Sequence, residues 1–446
     1  MAWDLLIRNG DVVTPDGVRR ADVAVEGDTI VELAPGLAGS AREELDATGL
    51  HVFPGLIDSH VHFNEPGRAE WEGIETGSAA LAAGGGTAFF DMPLNSSPPV
   101  LDADAFDAKL AAARAKSCTD LALWGGLTPD NVDKLHELAD RGVIGFKAFM
   151  SNSGIDDFPA ADDYTLLRGM RVAAERELIV AVHAENDAIT AGMARDADGR
   201  SYADYAASRP ALAEVEAIRR AITLAAATGC KLHIVHVSSA TGAIAARAGR
   251  AVANVSYETC PHYLLLTVDD LRTIGPRAKC APPLRMPQHR DHLINALHRG
   301  EIDFVASDHS PSPESMKQGD DFFKIWGGVA GVQSTLPAML SLDPPLPPDR
   351  VARYTAAAVA ERFGVAGKGR VEVGFDADFA LVDLSQTFEL TRDTLLDRHK
   401  LSPYVGRRFN GVVRQTIVRG TTVFRDGAIV GRPQPRLLLP NGGGSR

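Results

Sequence analysis

Residues 55–62 read GLIDSHVH, a short apolar run bounded by glycine that ends in two histidines. Runs of the same kind recur down the chain: GTAFFDMP (86–93), DLALWGG (120–126), GVIGFKAF (142–149), LIVAVHAE (178–185), KLHIVHVS (231–238), AVANVSYE (251–258) and IDFVASDH (302–309). Near-continuous apolar runs of this length read as strands buried on both faces, the habit of a parallel sheet. Alanine-rich helical stretches, among them Asp102–Ala115, Thr165–Glu175 and Glu214–Ala227, lie between them. Eight alternating units predict an α/β fold, a (β/α)8 barrel. The alternative, a doubly wound open sheet, would place a glycine-rich phosphate loop after the first strand. HVHFNEPG is no such loop, and Gly84-Gly85-Gly86 precedes the second strand, where it reads as a helix-to-strand turn.

The two ends of the chain have another rhythm. DLLIRNGDVV is expected to break as a hairpin at Asn9-Gly10, and ADVAVEGDTIVEL alternates around Glu26-Gly27-Asp28. Near the other end, DADFALVDL and VVRQTIVRGTTVFRDGAIVG carry turns at Arg419-Gly420 and Asp426-Gly427. Each part alone would leave an apolar face exposed, so both are expected to build one small β-sandwich. The expected organisation is residues 1–53 for the first part of that sandwich, 54–367 for the barrel, and 368–446 for the second part and a tail. The closing PNGGGSR reads as a frayed end.

The 446 residues, 45% hydrophobic and 23% charged, match an ordinary globular protein and exclude disorder. Lys plus Arg is 46 against 58 for Asp plus Glu, a net charge of −12 that argues against a nucleic-acid partner. The four cysteines form no CxxC pair, which reads as a reducing cytosol and a cytoplasmic protein. No apolar run approaches the roughly 18 residues of a membrane span, and MAWDLLIRNGD lacks a signal-peptide layout.

A barrel of this kind carries its chemistry at the C-terminal ends of the strands. The first strand ends in His60-Val61-His62, whose two imidazoles point the same way by the period-two rule. The fourth carries Lys147, the fifth ends at His183, the sixth at His236 and the eighth at Asp308. Singly, each has an ordinary explanation: a core histidine, a helix cap, a lysine beside an acid. Together on one rim they are the ligand chemistry of a divalent transition metal. His233, at odd spacing from His236, faces the other way. An ammonium cannot ligate a metal, but a lysine buried in apolar surroundings has a lowered pKa. Its neutral amine can add carbon dioxide to form a carbamate able to bridge two cations. Two such cations would share a hydroxide at neutral pH.

The motifs PGLIDSHVHFNEPGR, GFKAF, HAEN, HVSS, ETCPHYL and ASDHS, in this order, resemble the cyclic amidohydrolases of the amidohydrolase superfamily. The resemblance covers nearly the whole chain and is closest to the allantoinase branch, in HFNEPGRAEWEGIETGSAALAAGGGTAFFDMPLNSSPP, FKAFMSNSGIDDF and SDHSPSPESMK followed by WGGVAGVQSTLP. It implies a (β/α)8 barrel with a binuclear centre, usually zinc, although cobalt, manganese or iron suits the same ligands. By position, His60, His62 and Asp308 would hold one metal, His183 and His236 the other, with Lys147 as N6-carboxylysine between them.

Two departures separate the relatives. Dihydroorotase-like sequences carry an arginine soon after the HxH; here that position is Asn64, with Arg68 beyond it. Hydantoinase-like and dihydropyrimidinase-like sequences place a tyrosine shortly after the lysine; here the stretch is Met150-Ser151-Asn152-Ser153, with none before Tyr164. A polar pocket wall suits a cyclic ureide. The resemblance therefore implies hydrolysis of the hydantoin-ring amide of allantoin to allantoate, a step of purine degradation, with Asp308 as general base and then acid. Hydantoinase, dihydropyrimidinase and dihydroorotase are the alternatives within the group. A non-catalytic dihydropyrimidinase-like assembly protein is disfavoured, because all six ligand positions are kept. Asn95, Ser310, Ser151 and Asn152 are the expected substrate contacts, and His262 is a rim residue that touches substrate or buttresses it. Relatives imply a homotetramer or homodimer.

Overall fold

The computed structural model describes residues 3–441. Eight strands form the barrel. In chain order they are β1 (Leu56–Val61), β2 (Gly86–Asp91), β3 in two pieces (Asp120–Leu123 and Gly125–Gly126), β4 (Gly145–Phe149), β5 (Ile179–His183), β6 (Lys231–Ile234), β7 (Val255–Thr259) and β8 (Phe304–Val305). Every neighbouring pair is parallel. Two observations join the pieces into one closed ring. Trp124 N–H donates to Asp91 across the break in β3, and residues just beyond β8 pair with β1 through a parallel Val61–His309 bridge.

Helices cross between strands and begin on residues suited to capping: Asp102, Asp162, Asn186 and Ser239 each accept a backbone N–H of the first turn. The glycine triplet works as a helix-to-strand turn. The helix Ile74–Ala83 is capped by Gly84, Gly85 takes φ 86°, and β2 starts at Gly86. Phe363, from the helix Ala358–Phe363, lies 5.2 Å from Phe90, 5.4 Å from Trp124 and 6.0 Å from Phe304, ring centre to ring centre. Those partners come from β2, β3 and β8, so Phe363 sits inside the ring and plugs its N-terminal end.

The chain ends meet in a nine-stranded sheet. Trp3–Thr14, Gly17–Glu26, Thr29–Ala34, Ala41–Asp46 and His51–Pro54 come from one end. Phe379–Glu389, Arg408–Val418, Thr421–Arg425 and Ala428–Ile429 come from the other. The halves form one hydrogen-bonded path, with His51–Pro54 paired to Trp3–Thr14 on one side and to Phe379–Glu389 on the other. Ile7, Val12, Val23, Val25 and Val52 share a core with Phe379, Leu381 and Ile417. One expectation fails here. Asn9-Gly10 is not a hairpin turn; Trp3–Thr14 runs through it with a bulge, and the chain reverses at Pro15-Asp16. Asn9 does take the positive φ its dipeptide favours, 58°, but uses it to bend the strand. The bend lets the first half of the strand pair with Ala41–Asp46 and the second with His51–Pro54. Of the expected frayed end, residues 442–446 lie outside the described residues. Leu437 and Leu438 before it are buried, and Leu438 N–H donates to Leu121 of β3.

Barrel and β domain are joined by a buried ionic clasp. Lys368 Nζ lies 2.7 Å from Asp120 of β3, 2.9 Å from Asp376 and 2.6 Å from Asp378. Arg419 reaches the same Asp120 at 3.1 Å. Removing one partner of such a network leaves buried charge unpaired, at a cost of about 3–5 kcal/mol. Lys368→Met should therefore lower stability by that order in chemical denaturation. The deficit should be largest at neutral pH. Burial already raises Asp378 to about 6, and without the ammonium the carboxylates would titrate still higher. Their protonation as pH falls would remove the unpaired charge and shrink the difference from the parent protein.

Candidate metal centre

The residues singled out at the strand ends converge. His60 closes β1 and His62 follows it, Lys147 lies in β4, His183 ends β5, His236 follows β6 and Asp308 follows β8. All six are buried. His60 Nε2 and His62 Nε2 lie 3.3 and 3.6 Å from Asp308 Oδ1, and the ligand atoms of this triad fall within 4.8 Å of one another. His183 Nδ1 faces His236 Nε2 at 3.1 Å, and the His236 ring centre is 5.4 Å from that of His60. His236 and Asp308 take φ of 40° and 47°. Left-handed backbone is costly for non-glycine residues and concentrates at functional sites.

Buried carboxylates and carbonyls fix which nitrogen faces inward. His60 Nδ1 is 2.7 Å from Glu258 Oε1, His62 Nδ1 2.8 Å from the Leu94 carbonyl, and His183 Nε2 2.8 Å from Glu185 Oε2. In each case the outer nitrogen donates its proton to the acceptor and the inner one keeps its lone pair. Burial lowers His60 to about 4 and also pulls His183 and His236 down. Neutral imidazoles are what a metal requires. The acceptors are themselves held. Glu258 also accepts from His233 Nε2 at 3.1 Å and from Ser59 Oγ at 3.1 Å. Burial would raise Glu258, but the bonds from His233 and His60 outweigh it and keep it ionised. Glu185 is gripped by Arg209, with one contact at 3.1 Å.

Lys147 tests the fit of the site to a bridged pair of cations. Its Nζ is buried with no hydrogen-bond partner among the described residues, and burial brings it down to about 8. An orphaned, partly neutral amine beside three histidines is chemically suited to carboxylation. The donor set and the orphaned amine both fit two divalent cations.

A cavity of about 280 Å³ opens over the centre, with His60, His62, His183, His236 and Asp308 at its floor. Asn95 and Ser310 line it, and Asn152 lies at its exposed edge. Asn95 Nδ2 donates to Asn64 Oδ1 at 3.2 Å, so the buried Asn64 holds the Asn95 amide from behind. Ser151 is buried and is not among the residues that line the cavity. His262 is buried with neither ring nitrogen paired among the described residues and also does not line it. Arg68 turns away, donating to the Asn95 carbonyl at 2.8 Å and pairing with Asp157 at 3.2 Å. Sequence reasoning missed Glu258, Glu185, Arg209, Lys279 and Tyr205. The last three line the cavity, where Tyr205 donates to the Cys280 carbonyl at 3.0 Å and Lys279 to the Phe323 carbonyl at 3.3 Å. The expectation that His233 faces the other way fails: its ring points into the barrel, stacks on Phe304 at 4.9 Å and bonds Glu258, because the positive φ of His236 breaks the strand alternation.

A closed parallel barrel with a buried histidine and carboxylate cluster at the C-terminal strand ends defines a metal-dependent hydrolase. The chain belongs to the amidohydrolase family, whose pattern matches residues 51–423. Within it, the chain is 53% identical to a protein named Allantoinase from Rubrobacter xylanophilus, over 98% of both chains. It is 51% identical to one of the same name from Deinococcus radiodurans, over 99% of both. Among solved structures it resembles L-hydantoinase (dihydropyrimidinase) from Arthrobacter aurescens, with a TM-score of 0.95 and 32% identity over 98% of this chain and 100% of the other. No helix among the described residues is long and apolar enough to cross a membrane.

Glu185 offers a direct test of the site's construction. Glu185→Gln keeps the shape but removes the charge that orients His183. It should weaken uptake of one of the two cations by about ten- to a hundredfold, read by metal titration, with the circular dichroism spectrum unchanged.

Proposed function

We propose that the protein hydrolyses the hydantoin-ring amide of allantoin to allantoate, using His60, His62, Lys147, His183, His236 and Asp308 to hold two divalent cations, Lys147 as its carbamate. The observation that carries the substrate is near full-length identity of 42–53% to relatives named Allantoinase. The Asn95 amide at the cavity surface supports it, since an amide can donate to and accept from a ureido arm.

Bound cations would supply a hydroxide at neutral pH and polarise the ring carbonyl. The chain does the rest. Asp308, at the cavity floor, takes the proton of the attacking water and delivers it to the departing ring nitrogen. Asn95, Ser310 and Asn152 orient the ring and its arm. Arg209 leaves little free charge for a substrate carboxylate, because Glu185 already occupies it. That removes Arg209 as the partner of a dihydroorotate-like acid.

Zinc fits the ligand set, as do cobalt, manganese and iron; metal analysis decides among them. Turnover should be highest on allantoin when allantoin, hydantoin, dihydrouracil and dihydroorotate are compared side by side, and preference for another ring would reassign the substrate. Asp308→Asn should cost about two to four orders of magnitude in kcat while the protein stays folded. Near-normal turnover by a folded, metal-loaded variant would remove Asp308 from the proton path.

A further inference from the structure

A second cavity lies at the opposite end of the barrel. It encloses about 560 Å³ and is lined by Lys231, the first residue of β6, by Asn254 just before β7, and by Ile302 and Asp303 just before β8. The candidate metal ligands His236 and Asp308 follow β6 and β8 at their far ends. Lys231 and His236 are five residues apart, about 16 Å along an extended chain. The cavity is therefore separate from the catalytic one.

Its charge is not balanced. Lys231, Arg350, Arg353 and Arg362 line it, against Asp303 and Glu361. Both acids are already engaged: Asp303 by Arg250, and Glu361 by Arg353 at 3.4 Å and Arg370 at 2.7 Å. Among the described residues, the other three cations meet only neutral oxygens. Arg350 donates to the Leu297 carbonyl at 2.9 Å and the Tyr354 hydroxyl at 2.7 Å. Lys231 donates to the Glu177 carbonyl at 3.0 Å and Asn441 Oδ1 at 3.4 Å. Arg362 donates to Asn254 and to the Leu232 carbonyl at 2.8 Å, and its Nε is buried without an acceptor. Lys231, Arg350 and Arg362 are half-buried, with the Nε of Arg362 fully so, and a buried guanidinium nitrogen is normally paired. Three half-buried cations with no carboxylate partner among the described residues surround one cavity in a chain of net charge −12. The wall also contains the π-helical turn Arg353–Ala357, a distortion frequent at functional sites.

We propose that this cleft at the N-terminal end of the barrel binds a doubly charged oxyanion, a phosphate group, held by Lys231, Arg350 and Arg362. Planar guanidinium groups match phosphate oxygens in pairs, and lysine adds a point charge. The volume has room for more than the anion, so the phosphate is either free or carried as an ester on a small metabolite.

Calorimetric titration of the metal-loaded protein with inorganic phosphate and, separately, with adenosine monophosphate tests this. Saturable binding of phosphate is expected, weakened about ten- to a hundredfold by Arg350→Gln, the value of one charge-assisted hydrogen bond. Lys231→Gln, which alters a half-exposed side chain, should weaken it in the same direction and serves if the arginine variant does not fold. Turnover should be unchanged in both. Equal affinity for the two probes identifies free phosphate, and tighter binding of the nucleotide identifies an ester. Absence of binding by either probe overturns the proposal. So does binding that both variants leave intact, since that phosphate would sit on the catalytic cations.

Discussion

One carboxylate ties the mouth of the barrel together. Glu258 ends β7, yet it accepts from His60 and Ser59 on β1 and from His233 on β6. An ionised group in a site this dry is costly unless it is fully bonded. Three donors from two other strands satisfy it, and together they fix how those strands meet. The same bonds decide the chemistry. Because Glu258 keeps the Nδ1 proton of His60, Nε2 is left as a lone pair beside Asp308. Glu185 repeats the arrangement for His183, with Arg209 behind it in place of a second histidine. Both carboxylates fix the tautomer and aim of the imidazoles without contributing an inward-facing donor, while burial keeps the rings neutral.

The base of the molecule solves a different problem. Phe363 fills the barrel from below, and Lys368 pins the β domain to β3 through Asp120. Sites are more precise when their supporting elements are rigid. A plugged and clasped base lets the mouth carry left-handed backbone at His236 and Asp308 without the strands relaxing around it.

Much of this was readable in advance, for a physical reason. Strands buried on both faces must be apolar along their whole length, so all eight stood out, and the ligands stood out as polar residues at their ends. Asn9-Gly10 misled because a bulge and a hairpin turn make the same demand on backbone conformation; only the pairing partners distinguish them. Glu258 and Glu185 were present within AVANVSYE and LIVAVHAE but read as strand-end acids. Glu185 carried a signal, since it is two residues beyond His183 and so on the same side of the extended chain. Glu258 carried none, because its meaning depends on β1 closing the ring next to β8. Arg209, Lys279 and Tyr205 reach the cavity from irregular segments, where no periodicity reports direction.

Charge balance bears on why a lysine belongs among these ligands. Asp308, Glu258 and Glu185 bring three negative charges to the buried mouth, and Arg209 brings one positive. Under the reading proposed, two divalent cations add four positive charges and a hydroxide returns one negative. With Lys147 as an ammonium the cluster would keep two positive charges in a region of low dielectric, a strongly unfavourable state. As a carbamate the same residue swings from one positive charge to one negative, and the cluster becomes neutral. A glutamate there would reach the same total, but its charge would remain buried before the cations arrived. Lysine provides an amine that burial has already brought to about 8, tolerable as it stands and convertible when the cations bind. Carboxylation and cation uptake should for that reason be mutually dependent, each lowering the electrostatic cost of the other.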